Sequence, residues 1–143
     1  MNVLTILKHK GRDVETIAAN CLVGDAAKTL NEKRIGTLVI CGLSNTIDGI
    51  ISERDIVRAV ALHGPGALKG PVSDYMTSPV ETCEEQDTVE ILMTRMTGRR
   101  FRHLPVVKDG RLAGIVSIGD VVMQRIAEAE MMAQAMKDYI ATG

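Results

Sequence analysis

The fold is decided by a ten-residue stretch that occurs twice in the chain: DGIISERDIV at residues 48–57 and AGIVSIGDVV at residues 113–122. Each copy begins as an apolar run, typical of a buried strand, and takes the spacing of an amphipathic helix after its serine. The stretch therefore predicts a strand that runs directly into a helix. The copies are related by a shift of 65 residues, and the identical positions include the pairs Gly49 and Gly114, Ser52 and Ser117, Asp55 and Asp120, and Val57 and Val122.

The repeat extends upstream of this stretch. A shift of 66 residues places Val14-Glu15-Thr16 on Val80-Glu81-Thr82 and Leu38 on Leu104. The change from 66 to 65 fits one added residue in the first copy, around residues 42–45. We therefore expect two homologous units, at residues 14–63 and 80–126.

Each unit is predicted to have the element order β-α-β-β-α, which gives an α/β fold class of the α+β type. A short strand is expected to start at Val14 or Val80, and a second helix after Ser52 or Ser117. The first helix of each unit has an apolar face, formed by Val23, Ala26, Ala27 and Leu30 in one copy and by Val89, Leu92, Met93 and Met96 in the other. Two apolar strands follow, predicted at Thr37–Cys41 and Ile47–Ile51 and at Leu104–Val107 and Leu112–Val116.

The remaining segments are an N-terminal arm at residues 1–13, a linker at residues 64–79 and a C-terminal helix extension at residues 127–143. A unit of about 50 residues is too small to be comfortably stable alone, so we expect the copies to pack sheet to sheet around a pseudo-twofold axis. The C-terminal helix carries an apolar stripe that needs cover, from a partner subunit or from the N-terminal arm. The stripe consists of Val122, Ile126, Ala129, Ala133, Met136 and Ile140.

Composition excludes several classes of function. Aromatic residues are 2% of the chain and the formal net charge is −1, which argues against a nucleic-acid partner. No apolar run approaches the ~20 residues of a membrane span, and the first residues lack the features of a signal peptide. The three cysteines form neither a CxxC pair nor a disulfide framework, so we expect a cytoplasmic location.

Several motifs together carry a family resemblance. They are RFRHLPVV at residues 100–107 with LAGIVSIGDV at 112–121, IGTLVI at 35–40 with residues 48–57, and Met76-Thr77 ahead of Pro79-Val80. Over roughly residues 10–126 the chain resembles a pair of CBS domains, also called a Bateman module, as a stand-alone protein. The resemblance implies a regulatory protein of signal transduction or energy sensing. It also implies a flat homodimer and adenosine-containing ligands (AMP, ADP, ATP, S-adenosylmethionine or NAD) in clefts between the two units.

The repeated Ser-x-x-Asp motif has two interpretations. By spacing alone it is a capping box, in which the serine and the acidic residue satisfy free N–H groups at the start of a helix. The same strand-to-helix turn also offers N–H donors and the positive end of a helix dipole to a phosphate. The resemblance assigns Asp55 and Asp120 to ribose hydroxyls, and Ser52 and Ser117 to phosphate.

Basic residues predict two chemically unequal clefts. Residues 99–103 read RRFRH, whereas the first unit has Gly36 and Thr37 at the positions of Arg102 and His103. Neighbours on a strand point to opposite faces, so only one of Arg102 and His103 is expected to face a cleft. The resemblance implies phosphate contact there, and the alternative is a solvated charge cluster. Arg54 is a further phosphate candidate, and one strong site beside one weak or empty site is expected.

Five more residues are candidates for lining the clefts: Lys10, Thr16, Thr82, Pro79 and Val80. If the N-terminal arm folds back, Lys10 reaches the extra phosphate of a dinucleotide; otherwise it is solvated. The two threonines are either cleft residues or simple strand formers. The cysteines and histidines lack metal-ligand spacing, and no P-loop or GxGxxG motif is present, so neither a metal nor a catalytic residue is expected.

Three functions compete. The leading hypothesis is a non-catalytic regulatory module that binds AMP, ADP, ATP or NAD(H) and signals through its conformation or through a regulated partner protein. The alternative is a ligand-free dimerisation or protein-interaction module that acts through the C-terminal helix. An enzyme with a Cys or His nucleophile is the third, and the two intact Ser-x-x-Asp motifs without a catalytic set argue against it.

Overall fold

The computed structural model of the chain describes residues 1–99 and 101–142. Its helices and strands follow one another in an order that repeats. In chain order they are α1 Val3–Lys10, β1 Thr16–Ile17, α2 Val23–Lys33, β2 Thr37–Cys41, β3 Ile47–Ser52, α3 Glu53–His63, α4 Val89–Arg99, β4 His103–Lys108, β5 Arg111–Ser117 and α5 Ile118–Thr142.

The two units contain equivalent hairpins. Strands β2 and β3 pair antiparallel with Thr37 opposite Ser52, and β4 and β5 pair antiparallel with His103 opposite Ser117. The first sheet has the order β1-β2-β3, with β1 parallel to β2, and the second has the order β4-β5. Because equivalent residues pair in the same register, the predicted duplication is confirmed. The order of helices and strands confirms the predicted α+β fold class, and α5 is the predicted C-terminal helix.

The predicted first strand of the second unit is wrong. No strand begins at Val80 in the described chain, and only Cys83 forms an isolated parallel bridge, with Val106. The chain turns immediately afterwards, because the carboxylate of Asp87 accepts a hydrogen bond of 2.8 Å from the backbone N–H of Glu84. In the first unit the strand covers two residues and starts at Thr16 rather than at Val14.

Each unit is completed by the segment that precedes the other unit. Helix α1 buries three apolar side chains in the core of the second unit, and the linker buries Val72 in the core of the first. Equivalent backbone bridges hold the two segments, Asn2 to Thr88 and Leu22 to Pro71. The two units therefore exchange their covering segments around the pseudo-twofold axis, and neither core is complete without residues from outside its own repeat.

Helix α5 continues far beyond the second unit and leaves its apolar stripe exposed. Ile126 is 53% exposed and Ile140 is 74% exposed, and the remaining stripe residues are also on the surface. The N-terminal arm does not cover them, since the buried side chains of α1 pack into the second core. Among the described residues, no helix combines the length and the hydropathy needed to cross a bilayer.

Candidate functional site

The two Ser-x-x-Asp motifs form the same hydrogen-bonded structure at the ends of β3 and β5. Asp55 Oδ2 accepts from the Ser52 N–H at 2.9 Å, and Asp120 Oδ2 accepts from the Ser117 N–H at 2.8 Å. In return, each serine Oγ accepts from the aspartate N–H, at 3.2 and 3.1 Å. The motif is thus a capping box in both units, and this bonding also fixes the position of each carboxylate at the start of its helix.

Asp55 lies in an open cleft between the two units. The cleft has a volume of about 380 Å³ and is lined from the first unit by residues 36–37 and 52–55 and from the second by residues 99 and 101–103. Asp55 itself is 8% exposed, and its Oδ1 accepts from the Thr77 hydroxyl at 3.3 Å. The cleft therefore combines one buried carboxylate with basic side chains from both units, which are Arg54, Arg58, Arg99, Arg102 and His103.

Arg102 and His103 both line this cleft, so the expectation that only one of them would face it is wrong. The alternation of side chains applies within a strand, and β4 begins only at His103, which leaves Arg102 in the preceding turn. Arg100, also part of the basic run, lies outside the described residues.

Thr37 and His103 meet on the pseudo-twofold axis. They are equivalent positions under the shift of 66 residues, and Thr37 Oγ1 and His103 Nδ1 are 3.1 Å apart, within hydrogen-bonding distance. Burial lowers the pKa of His103, Lys10 and Arg102 lower it further, and Asp120 opposes them. The imidazole is therefore neutral near pH 7, with one ring nitrogen bound to Thr37.

Asp120 has a different third partner from Asp55. The ammonium group of Lys10 donates to Asp120 Oδ2 at 2.7 Å and to the Ile115 carbonyl at 3.0 Å. Burial raises the pKa of Asp120, but the hydrogen bonds from Lys10 and Ser117 outweigh it, so the net pKa lies below the ordinary value. Asp120 is consequently an ionised carboxylate that already holds a cation.

The other predicted lining residues fall into two further grooves, which correspond to each other under the repeat. Thr16 lines a groove with Arg12 and Asn45, while Pro79, Val80 and Thr82 line a groove with Asp48. None of these four is among the residues that line the cleft around Asp55. Sequence reasoning missed Thr77 and Arg58 as cleft residues. Arg58 carried a usable signal, because it stands three residues after Asp55 and so on the same face of α3.

The comparisons with known proteins agree with this architecture. The family model described as CBS domain matches residues 10–62 and 72–126, which is most of the chain. Two tandem units with this topology define a CBS-domain pair. The chain belongs to the CBS-domain family, and the predicted family is confirmed.

Three related proteins place the chain within this family. It is similar to the CBS-domain containing protein ATU1752 from Agrobacterium tumefaciens, with 46% identity, a TM-score of 0.84, and coverage of 87% of this chain and 99% of that one. It is 33% identical to the mitochondrial CBS domain-containing protein CBSX3 of Arabidopsis thaliana, covering 96% of this chain and 71% of that protein. It is also similar to the CBS domain protein PAE2072 from Pyrobaculum aerophilum, solved in complex with AMP, with 28% identity, a TM-score of 0.78, and coverage of 93% and 99%.

Proposed function

We propose that the protein is a non-catalytic regulatory module that binds an adenosine-containing nucleotide, such as AMP, ADP, ATP or NAD(H), between its two CBS units. The observation that carries this proposal is the cleft around Asp55, where a buried carboxylate and a set of basic side chains face the same space. The carboxylate is the natural acceptor for the two hydroxyls of a ribose. The AMP bound to the related protein PAE2072 supports the same class of ligand.

The charges in the cleft favour a ligand that carries phosphate. Arg54 and Arg102 enter it from different units, so a phosphate bound between them contacts both halves of the molecule. Guanidinium groups match phosphate oxygens in pairs, which fixes the orientation of the group as well as its charge. We assign Arg54, Arg102 and His103 to phosphate, with the Ser52 hydroxyl as a further donor. By the repeat, we assign Asp120 and Ser117 to the ribose and the phosphate of a second nucleotide site.

A regulatory role follows from the location of the cleft. A ligand that bridges the two units stabilises one relative placement of them, because it binds that placement more tightly than any other. The Thr37–His103 contact on the axis also joins the two units. We propose that the nucleotide acts by this bias, either on the shape of the protein or on a regulated partner protein.

The cysteine environment supports a function without covalent chemistry. Burial raises the pKa of the Cys83 thiol to about 12, with a further increase from Asp87 and a decrease from Arg95. Burial also raises the pKa of Cys21 and Cys41. Thiols of this kind are almost entirely protonated near pH 7 and are poor nucleophiles. The three cysteines are free, which suits a reducing compartment, and we propose the cytoplasm.

Binding and chemistry are tested on the same purified protein. Titration calorimetry with AMP, ATP and NAD is expected to give saturable binding, and the nucleotide recovered afterwards is expected to be intact. Arg102→Ala removes a proposed phosphate contact, and Arg111→Ala, an exposed arginine on β5, is the matched control. If none of the three nucleotides gives a heat of binding in calorimetry or raises the midpoint of thermal unfolding, the proposed function is wrong.

A second candidate function rests on helix α5. The first half of its exposed stripe, Val122, Ile126 and Ala129, borders an apolar groove of about 300 Å³ together with Met93 and Met96 of α4. Apolar area of this kind gains about 25 cal/mol per Å² when it is covered, and this burial term favours contact with a second copy. We propose a homodimer held in part by this helix. In a ligand-free assembly module, dimerisation would remain when the nucleotide contacts of Asp55 and Arg102 are removed, and no nucleotide would bind the wild-type protein.

A further inference from the structure

The two carboxylates proposed to bind ribose differ in the partners they have outside their own capping boxes. Both accept hydrogen bonds from their own capping box, and each receives a third donor from the segment that precedes the other unit. For Asp55 that donor is the neutral hydroxyl of Thr77, at 3.3 Å. For Asp120 it is the ammonium group of Lys10, at 2.7 Å. The Lys10 contact is shorter and joins two opposite charges, whereas the Thr77 hydroxyl brings no positive charge to Asp55.

Lys10 is held at Asp120 by well-packed structure. It is the last residue of α1, whose Val3, Ile6 and Leu7 are buried in the core of the second unit. The ammonium group also donates to the Ile115 carbonyl at 3.0 Å, so two acceptors fix its position. Immediately downstream, Arg12 donates to the Ala113 carbonyl at 3.2 Å and pairs with Glu85 at 2.7 Å. The chain is thus anchored on both sides of Lys10.

The counterpart at Asp55 is much weaker. Arg58 Nη1 is 3.8 Å from Asp55 Oδ1, which is beyond hydrogen-bonding distance, and the Arg58 side chain is 63% exposed. An exposed ion pair of this kind contributes little and is easily displaced. A ribose diol can therefore reach the Asp55 carboxylate without displacing a hydrogen-bonded cation, whereas at Asp120 it must compete with Lys10.

We propose that Lys10 determines which of the two Ser-x-x-Asp sites takes nucleotide, by occupying the Asp120 carboxylate from within the chain. The inference rests on the proposed nucleotide-binding function and adds a ranking of the two sites. The first nucleotide binds at Asp55, and binding at Asp120 requires Lys10 to be displaced. This role is opposite to the phosphate contact considered for Lys10 from the sequence. A lysine that binds the phosphate would increase the affinity for nucleotide at its site, whereas Lys10 lowers that affinity.

The test is titration calorimetry of the full chain with AMP, comparing wild type with Lys10→Met and with the control Lys8→Met. Lys8 lies on the same helix and is exposed, so the control removes one positive charge without touching Asp120. We expect wild type and the control to bind one AMP tightly per chain. The Lys10→Met protein is expected to bind a second AMP, roughly tenfold to a hundredfold more tightly than the second site of wild type, because the ribose no longer competes with a charged hydrogen bond.

Two further variants identify the site that appears. Asp120→Asn combined with Lys10→Met is expected to weaken the second binding event at least tenfold, whereas Asp55→Asn in that background is expected to weaken the first by the same factor. Lys10→Gln, which keeps a donor without the charge, replaces Lys10→Met if thermal unfolding reveals that the methionine variant is misfolded.

The inference is overturned if Lys10→Met leaves the stoichiometry and both affinities unchanged, if it weakens AMP binding, or if wild type already fills both sites equally. A protein that binds no AMP, ATP or NAD in any variant overturns the proposed function itself. One tight site in both wild type and Lys10→Met retains that function and rejects the role of Lys10.

Discussion

Replacing Asp55 with asparagine separates the two roles of the Ser-x-x-Asp motif. The carboxylate accepts hydrogen bonds from the Ser52 N–H at 2.9 Å, the Ser52 hydroxyl at 3.1 Å and the Thr77 hydroxyl at 3.3 Å. An asparagine side chain has the same shape, and its amide oxygen can still accept from the Ser52 N–H. The helix cap is therefore retained in the variant, while the negative charge and one acceptor oxygen are lost.

The expected magnitudes differ for the two roles. Hydrogen bonds to a charged group contribute about 1.5–3 kcal/mol, so losing the carboxylate at a ribose weakens nucleotide binding roughly tenfold to 150-fold. The cost in folding stability stays below about 1 kcal/mol, since a neutral hydrogen bond still satisfies the cap. Asp55→Ala, by contrast, leaves partly buried donors without an acceptor and lowers the free energy of unfolding by about 1–3 kcal/mol.

The assay measures AMP affinity by calorimetry and the free energy of unfolding by urea titration, on wild type and both variants. Asp25→Asn, an exposed aspartate on α2, controls for the loss of one negative charge. If Asp55→Asn binds AMP as tightly as wild type while Asp55→Ala is destabilised, the carboxylate is only a helix cap and the ribose assignment is refuted.

Three other predictions follow from the packing and the charges. Truncation after Arg125 removes most of the exposed stripe and is expected to lower the association constant in light scattering coupled to size exclusion; a truncated dimer as stable as the full-length one would exclude the helix from the interface. Because the pKa of His103 is lowered in the folded chain, the unfolded chain binds its proton first, so this component of wild-type stability is present above about pH 6.5 and is lost as the pH falls below it. His103→Asn removes this component, and parallel pH profiles of unfolding for the two proteins would contradict it. Gly49→Ala brings a Cβ within 2.9 Å of the Thr77 carbonyl, whereas Gly114→Ala meets the end of the flexible Leu7 side chain at 2.8 Å. We expect urea unfolding to reveal a loss of about 1–3 kcal/mol for Gly49→Ala and a smaller one for Gly114→Ala, and equal losses would argue against the close backbone approach.

The sequence pattern predicted most of the fold because it contains local signals for strands and for helix starts. The apolar run from Thr37 to Cys41 matches β2 residue for residue, and the helices begin directly after Ser52 and Ser117, as the capping pattern indicates. The helix starts depend on hydrogen bonds within about four residues, and the strand is marked by its own apolar run, so a single sequence specifies both well.

The parts that sequence reasoning missed depend on contacts between distant segments. Nothing in residues 1–13 indicates that α1 packs on the second unit, since its buried partners lie 80 or more residues away in the chain. The expectation that only one of Arg102 and His103 faces a cleft failed for a related reason. Where a strand begins depends on its pairing partner, here Ser117 opposite His103, and a shift of one residue changes which side chains alternate.

The same division between local and distant contacts explains how a duplicated fold comes to have unequal sites. The capping boxes lie inside the repeat and are set by residues three positions apart, so they are alike in both units. The donors that complete them, Thr77 and Lys10, come from segments outside the repeat. Each segment covers the core of the opposite unit, but the two segments differ in sequence. A substitution in either segment can therefore change one cleft while both helix caps stay intact. For that reason the ranking of the two sites is expected to follow the residue that precedes each unit rather than the Ser-x-x-Asp motif itself.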